Sequence, residues 1–252
     1  MVRTKAVFII LLFLAFSGIN TFAQKEGDKI RRTLREKLRT IEEPQPFVSQ
    51  ESILQKILEA YKVKDYERVV ILEKSLPRRA ELKIEEMQAI AESLWLAGEI
   101  ERAVDWAKRI VSLRRGTLDA CRANLIILSS YYLLEKHKEA KALKEEMKGG
   151  YCGESLASEL SLLEFLNEGK QFEGDADKAK KVLAPFLYAK FNYLLKKGSL
   201  EQAEKTAYRY LALTGDYYKG SEFFFKLGEA YLKKGDRSTA KRYYQLVISE
   251  WD

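Results

Sequence analysis

FFKLGEAYLKKGDRSTAKRYYQLV, residues 224–247, carries the spacing from which the fold is read. Phe224 is followed by Leu227 and Gly228, then by Tyr231, Gly235, Ala240, Tyr244 and Val247. Apolar residues three and four apart mark a helix on each side of Gly235, and the glycine permits the turn between them. Small Gly228 and Ala240 fall where two antiparallel helices approach closely. Phe224, Tyr231 and Tyr244 then fill the spaces between them.

Weaker copies of this pattern precede it. Gly198, Ala203 and Ala207 repeat the Gly235, Ala240, Tyr244 spacing, and Ala91, Leu94, Gly98, Ala103 and Ala107 do so again. Tyr131 and Ala140 mark a further copy with Glu135 at the turn. Ile57, Ala60, Tyr66 and Val69 mark the first, closed by Pro77. Roughly Cys152 to Ala184 is irregular: Gly169 ends its first helix, Gln171 to Asp175 look inserted, and Pro185 is expected to cut the second helix short.

Order and spacing resemble the tetratricopeptide repeat, a helix-turn-helix unit of about 34 residues. The resemblance covers residues 50–252 and implies an all-α, right-handed α-solenoid of about six repeats, the fifth irregular, whose inner helices line a concave groove. Composition agrees. Of 252 residues 46% are hydrophobic and 32% charged, with four Pro and fourteen Gly, and strand-type alternation is scarce.

Two segments precede the repeats. Arg3 and Lys5 stand before the apolar run Ala6 to Phe16, and small residues follow at Ser17, Gly18, Thr21 and Ala23. This is the order of a secretory signal peptide over residues 1–23, cleaved near Ala23, and it points to an exported, periplasmic protein. The alternative is an uncleaved membrane anchor. Residues 24–49 form a charged arm and linker: Ile30, Leu34, Leu38 and Ile41 share a narrow helical stripe before Pro44 and Pro46. The arm reads as a packing element over the first unit, a membrane-surface helix or a short coiled coil. The formal charge of +7 falls to +5 without Arg3 and Lys5, too mild to argue for nucleic acid. Membrane association would run only through an uncleaved signal or the arm.

No grouping for catalysis, metal or cofactor is found. The single His, His137, lies in a charged turn between Lys136 and Lys138. Gly149, Gly150 and Gly153 bracket Tyr151 and Cys152 without a phosphate-binding sequence, and Glu85, Glu86, Glu145 and Glu146 fall on polar helix faces. A non-enzymatic protein is therefore expected. Cys121 and Cys152 are the only cysteines and lie 31 apart, close to one repeat. The stacking that the resemblance implies brings them toward the same end, leaving the choice open between a disulfide and two thiols.

Repeat geometry also implies a row of side chains on the groove, directly after the Tyr231 slot: Tyr61, Trp95, Tyr132, Leu195 and Leu232. Earlier on the same face come Leu54, Leu125, Tyr188 and Phe225, with Gln88 as the exception. Such a groove suits a partner peptide or helix, which makes the chain a protein–protein interaction scaffold of the cell envelope. Two other readings stand beside it: these residues pack between neighbouring helices, or the chain is a self-assembling component or auxiliary subunit whose groove its own arm fills. No polar helix follows the last repeat, so Tyr243, Leu246, Val247 and Trp251 are expected to leave an apolar end for self-association.

Overall fold

Helix hydrogen bonding accounts for nearly all of the backbone that the computed structural model describes, residues 50–77, 80–168 and 176–249. The chain divides into two units, residues 1–49 and 50–252. The signal segment and arm lie outside the described residues, as do Gly169, the Gln171 to Asp175 insertion and Trp251. The described residues contain twelve helices and no strand. They are α1 (Gln50–Lys62), α2 (Tyr66–Glu73), α3 (Ile84–Leu96), α4 (Ile100–Leu113), α5 (Leu118–Leu133), α6 (His137–Lys148), α7 (Tyr151–Ser155), α8 (Ala157–Glu168), α9 (Ala176–Lys196), α10 (Leu200–Thr214), α11 (Tyr217–Lys233) and α12 (Arg237–Ser249).

Five pairs, α1/α2, α3/α4, α5/α6, α9/α10 and α11/α12, close through one turn. In each, a residue in left-handed conformation follows the first helix: Lys64, Gly98, Glu135, Gly198 and Gly235, with φ between 58° and 88°. The amide after it reaches back to the first helix, from Asp65 to the Ala60 carbonyl (2.9 Å), Glu99 to Leu94 (2.8 Å), Lys136 to Tyr131 (2.8 Å), Ser199 to Leu194 (2.9 Å) and Asp236 to Tyr231 (3.0 Å). This closing bond satisfies a carbonyl that the helix end would leave bare. Glycine takes the conformation freely, whereas Lys64 and Glu135 hold it at a steric cost. Ala103, Ala107, Ala203 and Ala207 are fully buried where second helices meet first helices. A Cβ on Gly228 would lie 2.6 Å from the Tyr244 ring, so the ring packs where a side chain is missing. The fold is an all-α solenoid of tetratricopeptide-like helix pairs.

The irregular segment departs from expectation. Three pairs precede it, so it stands fourth along the chain, and it is no sixth pair. Two helices, α7 and α8, are followed by α9, which runs unbroken through Pro185. A proline costs one hydrogen bond in a helix interior. Here burial of Leu183, Phe186, Leu187, Ala189, Phe191 and Leu194 offsets that cost. Cys121 on α5 and Cys152 on α7 are disulfide-bonded with a Cα separation of 5.2 Å, which ties the inserted helices to the third pair.

Buried side chains gather into two main cores that meet at α9. Phe186 and Ala189 belong to the core of the first three pairs. Leu187, Phe191 and Leu194 belong to the core of the last two, where the Phe191 and Phe223 rings lie 4.3 Å apart.

Candidate interaction surface

Tyr61, Trp95, Tyr132, Leu195 and Leu232 occupy one equivalent position. Each carbonyl accepts a bond from the left-handed residue of its turn, at 3.0, 3.0, 3.2, 3.1 and 3.0 Å respectively. Their environments nevertheless differ. Leu232 is 45% exposed, Tyr61 and Leu195 are half-buried, and Trp95 and Tyr132 are each only 8% exposed.

At Trp95 the difference comes from α9, which lies across the end of α3; Tyr132 is buried in the core of the first three pairs. Phe186 faces Trp95 with ring centroids 6.5 Å apart. Asn192, itself buried, donates from Nδ2 to the Leu96 carbonyl at 2.8 Å. The backbones approach so closely that a Cβ on Gly98 would lie 2.6 Å from the Tyr193 nitrogen. Lys196 pairs with Glu99 at 2.5 Å. Trp95 and Tyr132 are therefore core residues, and the expectation that they line an open groove does not hold. The chain's own α9 fills the row at Trp95, burying Trp95 Nε1 without a hydrogen-bond partner.

A polar cluster continues this closure toward α2 and α11. Glu222 accepts from Lys219 at 2.5 Å and from the Tyr188 hydroxyl at 2.8 Å, and pairs with Lys226 at 3.1 Å. Lys226 also pairs with Glu67 at 3.0 Å. The Tyr188 ring lies edge-on to Tyr66 (6.4 Å) and against Phe223 (5.5 Å). A cleft of about 210 Å³ remains among these groups. Burial pushes the Glu222 carboxyl up, but Lys219, Lys226 and Tyr188 together hold it below the usual carboxylate range. Burial first, then the Glu222 charge, pushes the Tyr188 hydroxyl well above its ordinary range. Cations, carboxylates and hydroxyl satisfy one another here, so the cluster fastens the first pair to the last two.

At the C-terminal pair, Tyr243 is fully buried, stacked between Phe224 (6.1 Å) and Tyr231 (5.6 Å). It is a core residue and cannot serve the outward self-association expected of it. Leu246 and Val247 are half-buried against the same core. The exposed large apolar side chains of this pair are Tyr217 (68%), Tyr218 (71%), Phe225 (51%) and Leu232 on α11 and Ile248 on α12. Phe225 rests on the Tyr244 ring at 5.9 Å. Sequence reading picked out Phe225 and Leu232 but missed Tyr218, although it stands seven residues before Phe225 on the same helical line.

Among the described residues no cluster of three or more His, Cys, Asp or Glu side chains is arranged to hold a metal, and no helix is long and apolar enough to cross a membrane.

No protein-family profile and no curated protein matches the chain. Solved structures similar to it include MamA, at 12% identity over 79% of this chain and 95% of that one with a TM-score of 0.35. Another is the Chs5-Chs6 exomer cargo adaptor complex bound to a portion of Chs3, at 14% identity over 78% of this chain and 32% of that one with a TM-score of 0.31. Superpositions this loose add nothing to the helix-pair geometry described above.

Proposed function

We propose that the chain is a non-enzymatic scaffold of the tetratricopeptide type, exported to the cell envelope, that binds protein through the uncovered end of its groove row. One observation carries the reading: five equivalent turns present equivalent side chains, and Trp95 and Tyr132 are buried while Leu232 and Phe225, seven residues before it, stay exposed. Large apolar side chains fixed on a rigid helix are what an interface core needs. Export is supported by the order of residues 1–23 and by the Cys121–Cys152 bond, which suits an oxidising compartment.

The test places a photocrosslinking residue at Leu232 and, separately, at Val63, which is 75% exposed but lies off the row. In native cells, capture of a protein chain at position 232 and not at 63 supports the reading. Equal capture at both, or none at 232, refutes it. Export is checked by fractionation with N-terminal sequencing, where a mature start at Gln24 is expected and an intact Met1 in the cytoplasm contradicts it.

A further inference from the structure

Two cavities, of about 490 and 440 Å³, lie between α4 and α6 and share Val111, Arg115, Asn124 and Glu146, so they form one groove. Its floor is α5, which packs against both helices. Buried Ile127 and half-buried Tyr131 line the bottom, with half-buried Val111 on α4 and Leu143 on α6 beside them. Covering apolar side chains of this kind drives association.

The polar lining narrows what fits there. Lys108 and Arg115 stand on the α4 side, Glu139 and Glu146 on the α6 side, and within the described residues none of the four forms an ion pair. The groove holds the opposite charges apart. A chain lying between them satisfies both walls when it carries acidic side chains on one side and basic ones on the other. Asn124 stands on the floor where the two cavities meet, and its amide makes no hydrogen bond within the described residues. Beneath an α-helix, whose main-chain groups are bonded to one another, that amide would lose water and find no main-chain partner. An extended segment has free N–H and C=O groups, and the amide can donate to one and accept from another.

We infer that this groove binds an extended peptide segment of a partner protein, apolar where it crosses Ile127 and Tyr131, with acidic side chains toward Lys108 and Arg115 and basic ones toward Glu139 and Glu146. None of the row residues lines it, so it is a second surface, independent of the Leu232 end.

Selection of a phage-displayed library of random dodecapeptides on the full-length chain tests it. Enriched peptides are expected to combine apolar, acidic and basic residues and to bind Leu232→Glu as tightly as the native chain. Asn124→Ala and, separately, the exposed Lys108→Glu should each weaken them about 10-fold or more at unchanged helicity. A scan of single main-chain N-methylations should find one position that costs a similar factor on the native chain and nothing further on Asn124→Ala. No enriched peptide, peptides whose affinity survives Asn124→Ala, or peptides that turn helical on binding overturn the inference. Peptides lost with Leu232→Glu and kept by Asn124→Ala belong to the row; they support the scaffold reading and remove this one.

Discussion

Gly98→Ala tests the closure of α9 onto α3 because two costs at that position can be separated. The first is conformational: at φ 78° a Cβ clashes with its own backbone, for about 1 kcal/mol or slightly more. The second is steric, since the added methyl would lie 2.6 Å from the Tyr193 nitrogen and 2.7 Å from the Asn192 carbonyl carbon. Ordinary contact needs about 3.5 Å, and neither atom belongs to a side chain that can rotate away. Relief requires α9 to retreat by most of an ångström, which also stretches the 2.8 Å bond from Asn192 to Leu96. Overpacking of this kind costs about 1–3 kcal/mol and a weakened buried hydrogen bond about 1 more. The total is about 3–5 kcal/mol, or a fall in Tm of roughly 10 °C for a unit of this size. Gly235→Ala is the matched control. Its φ is 88°, with nothing within 4 Å of the added atom, so only the conformational cost applies. Urea unfolding of both variants gives the comparison. Equal losses would mean that α9 does not press on the α3–α4 turn, and the account of Trp95 burial would fall with it. A second check is coupling: Asn192→Ala should cost much less in the Gly98→Ala background than in the native chain.

Lys64→Gly and Glu135→Gly relieve the two non-glycine left-handed turns and should each raise the urea midpoint, by about 0.5–1 kcal/mol of stability; an unchanged or lower midpoint contradicts the shared turn geometry. Cys121→Ser with Cys152→Ser opens a loop of sequence separation 31 and should destabilise the chain by about 3–4 kcal/mol, with no effect of reductant on the double variant. Glu222 has a depressed carboxyl pKa when folded, so its ion pairs stabilise the fold fully above the ordinary carboxylate range and lose that effect as pH falls through the folded value. Glu222→Gln should therefore flatten the decline in urea midpoint between neutral pH and about pH 3; an unaltered slope would place the acid sensitivity elsewhere.

Local pattern carried the helix pairs. A turn residue followed five positions later by a small residue is a short-range signature, and it located the turns at Gly98, Gly198 and Gly235. It fixed the groove row too, because Tyr61, Trp95, Tyr132, Leu195 and Leu232 all sit one step before the end of the first helix in their pairs. Periodicity says which face a residue takes but not what lies across from it, so it leaves open whether Trp95 lines a groove or packs between helices, and the structure has it packed. Each unit of a repeat array is expected to touch only its neighbours, while the contact of Asn192 with Leu96 spans 96 residues. A sequence signal for this contact does exist. Between Val182 and Leu195 the polar side chains are Lys190 and Asn192, so this first helix is apolar nearly all round, unlike one with an open groove side. A helix hydrophobic on every side must be covered on every side. Within the last pair, Phe223 supplies one cover. The turn after α3, opened to backbone approach by Gly98, supplies the other.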